Sequence, residues 1–412
     1  MPTWKLCLGS VAALALIAGC GDAASDLEAP STAEGQPDAA AEAVATEPQS
    51  ETQTSGQTEG APLSARIQPA VESIVAQADL VGLAVKVVVD GEVVGEAVTG
   101  TRTMGSDVPL SLDDRYHMGS IGKSMTSTII ATLVEDGTMR WDDRLGDHLG
   151  DVEMEDGWRD VTLEQLLTHR SGVPAAPQSA FTLQATGGQA LADARRQVAA
   201  TVLGDAPATE PGTAFAYSNE GYLLASIMAE TATGQPWESL VRTRLAEPLG
   251  LNSLGFGAPT GDDAPRGHRG TKEAKVTAEP TLPGADNPRW MAAAGTLHMT
   301  LDDLVRYGMA HAQGGDAPDA ILSQETFDRL HTAQLGSYGY GWVVQEVSLD
   351  GETEPLIWHN GSNTMWYSLI GVLPERDTVI VMSTNDGTGL ATTQGALDQL
   401  MRSIIGLVAS QE

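Results

Sequence analysis

The spacing of hydrophobic residues changes along this chain, and the changes predict where helices and strands lie. Apolar residues recur every three or four positions from Ile67 to Ala78, which is the spacing of one helix face. Two β-rich runs follow, Val81–Val89 and Glu92–Thr99, and Asp90-Gly91 between them is a strong hairpin signal. From Met118 to about Ala310 the spacing is again helical, with Gly- and Pro-rich loops between the segments.

Strand patterns return near the C-terminal end. They occupy four runs, Tyr340–Val347, Leu356–His359, Met365–Val372 and Thr378–Ser383, and the amphipathic stretch Ala391–Val408 then predicts a last helix. Strands at both ends with helices between them predict an α/β (α+β) fold. In this fold one antiparallel sheet is flanked by the terminal helices and carries a large all-helical insertion.

The first 20 residues have the pattern of a processing signal. Lys5 supplies a positive start, and Leu6–Ala18 is an apolar run too short to cross a bilayer as an ordinary helix. It ends in Ile17-Ala18-Gly19-Cys20, which resembles a bacterial lipoprotein signal in which Cys20 would be lipidated. An ordinary secretory peptide cleaved near Gly19 is the alternative. The lipoprotein interpretation places the protein in the cell envelope, with its domain in the periplasm or outside the cytoplasm and a lipid anchor as its only contact with the membrane.

Residues 21–62 predict a disordered acidic linker. They contain one Leu, no aromatic residue and no Lys or Arg, and such a composition buries too little apolar surface to offset chain entropy. The globular domain therefore spans residues 63–412, and the linker would hold it away from the membrane.

Net charge and cysteine content limit the partners of this domain. The chain has a formal charge of −32, and residues 63–412 retain −24, from 46 acidic against 22 basic residues. Such a surface repels nucleic acid and anionic lipid, so the expected partner is a small molecule or a peptide substrate. The two cysteines, Cys7 and Cys20, both precede the domain, which leaves it no disulfide and no Cys metal site. No pattern specifies an oligomeric state.

Ser120-Ile121-Gly122-Lys123 is the first candidate for chemistry. Residues three apart on a helix share a face, so the Ser120 hydroxyl and the Lys123 amine can meet. A serine hydroxyl becomes a good nucleophile when a neighbouring base takes its proton, and an amine in a low-dielectric pocket can lose its charge and be that base. The start of a helix also favours developing negative charge.

Two further stretches join this one. Tyr217-Ser218-Asn219 lies in a loop before a predicted helix, Tyr222–Thr231, and an ammonium group nearby would favour the Tyr217 phenolate as a proton carrier. His359-Asn360-Gly361-Ser362 ends a late strand, where Gly361 would let a substrate lie close to the strand edge.

The ordered set Ser-x-x-Lys, Tyr-Ser-Asn and His-x-Gly resembles the penicillin-recognising serine hydrolases. That superfamily includes class C β-lactamases, D-Ala-D-Ala carboxypeptidases, esterases and D-amino-acid peptidases. The resemblance runs from about Leu80 to Asn385, and other stretches support it: Leu166–Pro174, Tyr217–Gly234, Pro248–Leu251, Ala293–Leu304 and Tyr338–Trp342.

The resemblance implies a role for each site residue. Ser120 would be the acylated nucleophile, Lys123 and Tyr217 would relay protons, and Asn219 would hydrogen-bond Lys123 or a substrate amide. His359 would support the tyrosine and the leaving-group proton. The backbone N–H groups of Ser120 and Ser362, the residue after Gly361, would form the oxyanion hole. Neither a metal nor an organic cofactor is implied.

Departures from the family pattern leave several activities open. In the stretch His359-Asn360-Gly361-Ser362, His359 stands where class C β-lactamases have Lys. Asn360 stands where related carboxypeptidases often have a hydroxyl residue that binds a substrate carboxylate. The Asn360 amide can donate a hydrogen bond, although more weakly. The leading expectation is D-Ala-D-Ala carboxypeptidase-like hydrolysis of a D-alanyl peptide, amide or ester. A small-ester esterase, a class C-like β-lactamase and an inactive binding lipoprotein are the alternatives.

Other histidines have simpler interpretations. His169 is expected to order its loop, because the chain has no Gly-x-Ser-x-Gly motif that would suggest a different serine nucleophile. His268, His298, His311 and His331 lack the spacing of metal ligands.

Overall fold

The computed structural model describes residues 63–183, 188–261, 264–280, 282 and 284–409. The predicted signal segment 1–20, with Cys20, and the predicted linker 21–62 lie outside these ranges. The predicted domain begins at the first helix of the described part.

Twelve α-helices form within the described ranges. They are α1 Leu63–Ala78, α2 Gly122–Glu135, α3 Leu145–His148, α4 Leu163–Leu167, α5 Gln189–Leu203, α6 Asn219–Thr233, α7 Trp237–Val241, α8 Glu247–Leu249, α9 Ala292–Gly295, α10 Leu301–Gln313, α11 Gln324–Leu330 and α12 Leu390–Ala409. Short 3₁₀ turns add to these, and the one that matters for the site is Gly119–Ile121.

Eleven strands accompany them in the same ranges. They are β1 Gly82–Val89, β2 Glu92–Gly100, β3 Tyr116–His117, β4 Gly255–Phe256, β5 His268–Thr271, β6 Ala274–Thr277, β7 Leu297–Met299, β8 Val343–Leu349, β9 Glu352–Ser362, β10 Tyr367–Leu373 and β11 Thr378–Thr384.

The two ends of the domain are joined in one antiparallel sheet, as the strand pattern predicted. Its order is β2-β1-β11-β10-β9-β8. Strand β1 pairs with β11, so that Leu83 lies opposite Thr384 and Val89 opposite Thr378. The prediction of a sheet closed by both ends of the domain is therefore confirmed.

Alternating side chains of the central strands supply two hydrophobic cores, since successive residues of a strand point to opposite faces. Leu83, Val85 and Val87 pack with α1 and α12 on one face of the sheet. Val379 and Val381 of β11 belong instead to the core under the helical part of the domain. The sheet is thus covered on both faces, which explains why β1, β10 and β11 are buried almost throughout.

The middle of the chain is mainly helical, as predicted, but it also contains two small sheets. One joins β3, β7 and β4, and the other is the hairpin of β5 and β6. These strands have only two to four residues, too few for an alternating pattern to stand out in the sequence.

The end of β9 provides one wall of the site. Strand β8 pairs with β9 only from Glu352 to Trp358, so residues 359–362 extend four positions beyond it. The 3₁₀ turn Gly119–Ile121 packs against this extension. Gly119 and Gly361, which are 242 positions apart in the sequence, are brought together at this contact.

Candidate active site

Ser120 lies in the middle of the 3₁₀ turn that leads directly into α2, and Lys123 lies in the first turn of that helix. Their separation of three residues places both side chains on one face. Lys123 Nζ lies 3.0 Å from Ser120 Oγ, with the amine as donor. The geometry allows the lysine, once neutral, to take the serine proton.

Lys123 is buried completely and makes three hydrogen bonds. Its Nζ donates to Ser120 Oγ, to Asn219 Oδ1 at 2.7 Å and to the Ala294 carbonyl at 2.9 Å. Burial lowers the pKa of Lys123 to about 7, and the nearby Glu220 carboxylate acts against that shift. Near neutral pH much of the lysine is therefore uncharged, as a general base requires.

Asn219 reaches this lysine because α6 begins at that residue, three positions before the predicted start at Tyr222. The Ser218 side chain caps the helix by accepting a hydrogen bond from the Gly221 N–H. The cap fixes Asn219 in the first turn, with its amide oxygen on Lys123.

Tyr217 precedes the cap, and the Ser120 side chain is near enough to its phenol to favour the phenolate slightly. Burial is the largest influence on this phenol and raises the pKa of Tyr217 well above its usual value. The expectation of a phenolate is therefore wrong, because the desolvation cost outweighs any help from the lysine. Lys123 Nζ also lies over the ring, 4.8 Å from its centroid. Tyr217 is a protonated phenol that can donate to a leaving group.

His359 is buried and neutral. Its Nε2 lies 3.1 Å from the Tyr338 hydroxyl, and its Nδ1 contacts the Asn360 carbonyl. Burial, assisted by the charge of Lys123, lowers the pKa of His359 to about 3. The tyrosine that it contacts is Tyr338 rather than Tyr217, the partner expected from the family pattern.

Two glycines bring the predicted oxyanion donors together. Gly119 has φ +50°, and a Cβ placed on it would lie 2.2 Å from the Ser362 nitrogen. A Cβ on Gly361 would lie 2.5 Å from the Ser120 nitrogen. Only glycine allows so close an approach of turn and strand. The backbone nitrogens of Ser120 and Ser362 thus lie on either side of one glycine–glycine contact.

Asn360 faces away from this contact. Its side chain is 8% exposed, and its Nδ2 donates to the Tyr367 hydroxyl at 3.0 Å. Tyr367 belongs to the core beneath α1 and α12. Alternation along β9 sends residue 360 to the face opposite His359 and Gly361. The expectation that the Asn360 amide could reach a substrate carboxylate is therefore wrong.

Several residues that the sequence did not single out support the site. The buried Glu220 accepts hydrogen bonds from the Ala176 N–H at 2.9 Å and from Ser218. Tyr338 contacts His359, and the Ala294 carbonyl holds Lys123. All three residues lie in stretches that carry the family resemblance, and Glu220 directly follows Tyr217-Ser218-Asn219.

His169 orders the loop that carries Tyr217. It has φ +56°, and its Nδ1 accepts a hydrogen bond from the Ser218 N–H at 3.1 Å. Its ring packs against those of Tyr217 and Tyr338, with centroids 4.3 and 4.8 Å away. Burial lowers the pKa of His169 well below its usual value, so the ring stays neutral.

Neither a metal centre nor a membrane span occurs in the described part of the chain. No three His, Cys, Asp or Glu side chains there form a group able to hold a metal ion. Within the same ranges, no helix has the length and apolar content needed to cross a bilayer.

Comparison with known proteins identifies the family. Residues 67–400 match the profile of the family described as Beta-lactamase. The chain belongs to the Beta-lactamase family. Its relatives include Penicillin-binding protein 4 of Amycolatopsis lactamdurans, which is 28% identical over 79% of this chain and 86% of its own length. The D-aminopeptidase of Gluconobacter oxydans is 25% identical over 84% of this chain and 62% of its own length.

Solved structures share the fold. The octameric penicillin-binding protein homologue of Pyrococcus abyssi has a TM-score of 0.67 and 25% identity, over 82% of this chain and 77% of that one. The D-amino acid amidase of Ochrobactrum anthropi SV3 has a TM-score of 0.69 and 20% identity, over 85% and 100% of the two chains. This protein is therefore a serine hydrolase, and its fold is the predicted β-lactamase/transpeptidase-like fold.

Proposed function

We propose that this enzyme hydrolyses D-amino-acid amides, through an acyl-enzyme on Ser120, and prefers substrates without a carboxylate on the leaving group. The observation that carries the proposal is the state of His359 and Asn360, in the stretch that ends β9. His359 is neutral there, and Asn360 is bound to Tyr367 on the other face of the sheet.

A substrate carboxylate would find little to pair with at these residues. The ammonium form of Lys123 already donates to three acceptors, and a pKa lowered to about 7 leaves a large fraction of the lysine uncharged near neutral pH. Burying an anion without a partner is costly. The formal charge of −24 on residues 63–412 also repels anions and attracts the ammonium group of an amino-acid amide.

The relatives support the same substrate class. A D-aminopeptidase is among the curated relatives, and a D-amino acid amidase is among the proteins of the same fold. The further preference for amides with a neutral leaving group, rather than any D-alanyl peptide or amide, rests on His359 and Asn360 alone.

Each step of the proposed acylation uses a group described above. The neutral Lys123 amine takes the Ser120 proton as Oγ bonds to the carbonyl carbon, and the carbonyl π electrons move to its oxygen. The N–H groups of Ser120 and Ser362 stabilise that oxyanion. Tyr217 donates its proton to the leaving nitrogen as the C–N bond breaks, and regains the proton held by Lys123. Water then attacks the ester in the reverse sense and releases the acid.

Substrate profiling tests this proposal. We expect kcat/KM for D-alanine amide to exceed that for D-alanyl-D-alanine at least about tenfold, because a tenfold difference corresponds to about 1.4 kcal/mol, a modest cost for an unpaired carboxylate. L-alanine amide measures the stereochemical preference, and Ser120→Ala corrects for contaminating activity. Equal or better turnover of the dipeptide would overturn the proposal. Turnover of a nitrophenyl ester or of a cephalosporin alone would favour the esterase or β-lactamase alternative.

We also propose that the enzyme is held in the cell envelope by a lipid on Cys20. The support is the sequence of residues 1–20. Metabolic labelling with a radioactive fatty acid is expected to mark the wild-type protein and the Cys7→Ser variant, but not Cys20→Ser. Cys7→Ser is the matched control because it removes the other cysteine. Equal labelling of all three proteins, or of none, would contradict the anchor.

A further inference from the structure

The loop between β6 and α9 lies against three parts of the site at once. Asp286 contacts His117 of β3, which is hydrogen-bonded to the first residue of the turn that carries Ser120, and Asn363 in the turn that follows Ser362. Asn287 contacts the end of α9. These two residues have no part in the proposed proton relay. They were part of no motif, because a polar loop with an Asp-Asn pair has the composition of an ordinary solvated turn.

The first connection runs through His117 to the nucleophile. His117 is completely buried, and its Nδ1 accepts a hydrogen bond from the Gly119 N–H at 3.1 Å. A ring that accepts at Nδ1 carries its proton on Nε2 when neutral. Nε2 lies 2.9 Å from Asp286 Oδ1. This is a close contact rather than a well-aligned hydrogen bond, and Nε2 has no other partner in the described part of the chain.

The second connection leads to the other oxyanion donor. Asn363 is 3% exposed, and its Nδ2 donates to Asp286 Oδ1 at 2.8 Å. Its own Oδ1 accepts from the N–H groups of Met365 and Trp366, at 3.2 and 3.1 Å. The Ser362 hydroxyl donates to the Trp366 carbonyl at 2.6 Å. The turn after Ser362 is therefore closed on itself and attached to the same carboxylate oxygen.

The third connection holds the end of α9, which packs against the turn that carries Ser120. Asn287 Nδ2 donates to the Gly295 carbonyl at 2.8 Å. A Cβ on Gly295 would lie 3.0 Å from the Gly119 carbonyl carbon and 3.3 Å from the Ser120 nitrogen. The residue before it, Ala294, supplies the carbonyl that holds Lys123.

We propose that Asp286 is a positioning residue, which holds the backbone N–H groups of Ser120 and Ser362 in register through His117 and Asn363. The inference rests on the proposed role of these two N–H groups. Either segment alone could shift by a fraction of an ångström at little cost, but one carboxylate oxygen that contacts both segments sets the distance between them. A shift of these two N–H groups by a fraction of an ångström weakens their hydrogen bonds to the transition-state oxyanion more than it weakens binding of the ground-state substrate.

Substitution of Asp286 gives the first test. In Asp286→Ala we expect kcat per active site to fall about 10- to 100-fold with KM changed less than about threefold, since misplaced oxyanion donors act on the transition state. Asp286→Asn keeps an oxygen for Asn363 and should recover part of the loss. Active sites are counted from the end point of fluorophosphonate labelling, so a folding defect that lowers the number of competent molecules leaves the value per site unchanged.

The affinity for phenylboronic acid distinguishes a positioning role of Asp286 from a merely structural one, which would leave this affinity unchanged. The boronate forms a tetrahedral adduct with the serine and places an oxygen in the oxyanion hole, so its Ki should rise in parallel with the loss of kcat. Asp303→Asn is the matched control, because Asp303 is a buried carboxylate that accepts hydrogen bonds from Ser253 and contacts none of the three segments. We expect this control to keep the wild-type Ki and kcat per site.

His117→Asn keeps the proposal testable if Asp286→Ala fails to fold. Asparagine at position 117 still offers an oxygen to the Gly119 N–H but does not reach Asp286, so we expect at least about a fivefold loss of kcat per site. Wild-type kcat per site and boronate affinity in both His117→Asn and Asp286→Asn would overturn the proposal. Because all values are ratios to the wild type on its best substrate, amide or nitrophenyl ester, they do not depend on the substrate class proposed above.

Discussion

The Ser120→Ala variant is expected to lose at least about 10⁴-fold in kcat on any substrate of the wild type, because no acyl-enzyme can form without the nucleophile. It is also expected to take up no fluorophosphonate label. The structure supports the choice of residue, since Ser120 Oγ is the atom that accepts from the candidate base Lys123, and the Ser120 side chain lies near the Tyr217 phenol.

Ser124→Ala is the matched control for that variant. Ser124 lies one helical turn further along α2, is fully buried, and donates its hydroxyl proton to the Ile121 carbonyl at 2.8 Å. We expect it to keep labelling and most of its activity. Substantial turnover by Ser120→Ala, or label on another residue of that variant, would show that Ser120 is not the nucleophile.

Replacement of Lys123 is the second large effect. In Lys123→Met we expect acylation to slow about 100-fold or more, within the range that a positioned general base contributes. In the wild type the acylation rate should rise with pH through about 7, because burial lowers the pKa of Lys123 to that value and only the neutral amine can take a proton. We expect the variant to lose this rise in rate with pH. Stopped-flow measurement of acylation by a nitrophenyl ester between pH 5.5 and 8.5 is the test.

Lys86→Met provides the comparison for this experiment. Lys86 is also buried, but it lies in the middle of β1 and is paired with Asp302 and Glu96. Its variant should keep the rise in rate with pH. A wild-type profile that is flat, or that falls as pH increases through 7, would contradict the assignment of Lys123 as the base. Unfolding midpoints of both variants separate chemical loss from misfolding.

Much of the architecture could be predicted because it follows from local patterns. The β-rich apolar runs of β1, β10 and β11 and the Asp90-Gly91 turn predicted the main strands, and the helical stripes predicted α1 and α12. The start of α6 was placed three residues too late because the cap at Ser218 depends on side-chain contacts that periodicity does not reveal. The strands β3 to β7 were missed because they are too short to form a pattern.

The sequence by itself determined the pairing of Ser120 with Lys123, because three positions along a helix place two side chains on one face whatever surrounds them. Only the tertiary structure decided the state of those groups. Burial makes Lys123 a base near pH 7 and keeps Tyr217 protonated, and burial is a property of everything packed around a side chain. The tertiary structure also decided that Asn360 faces Tyr367. It brought Gly119 against Gly361 as well, because a contact between residues some 240 positions apart depends on how the whole sheet closes.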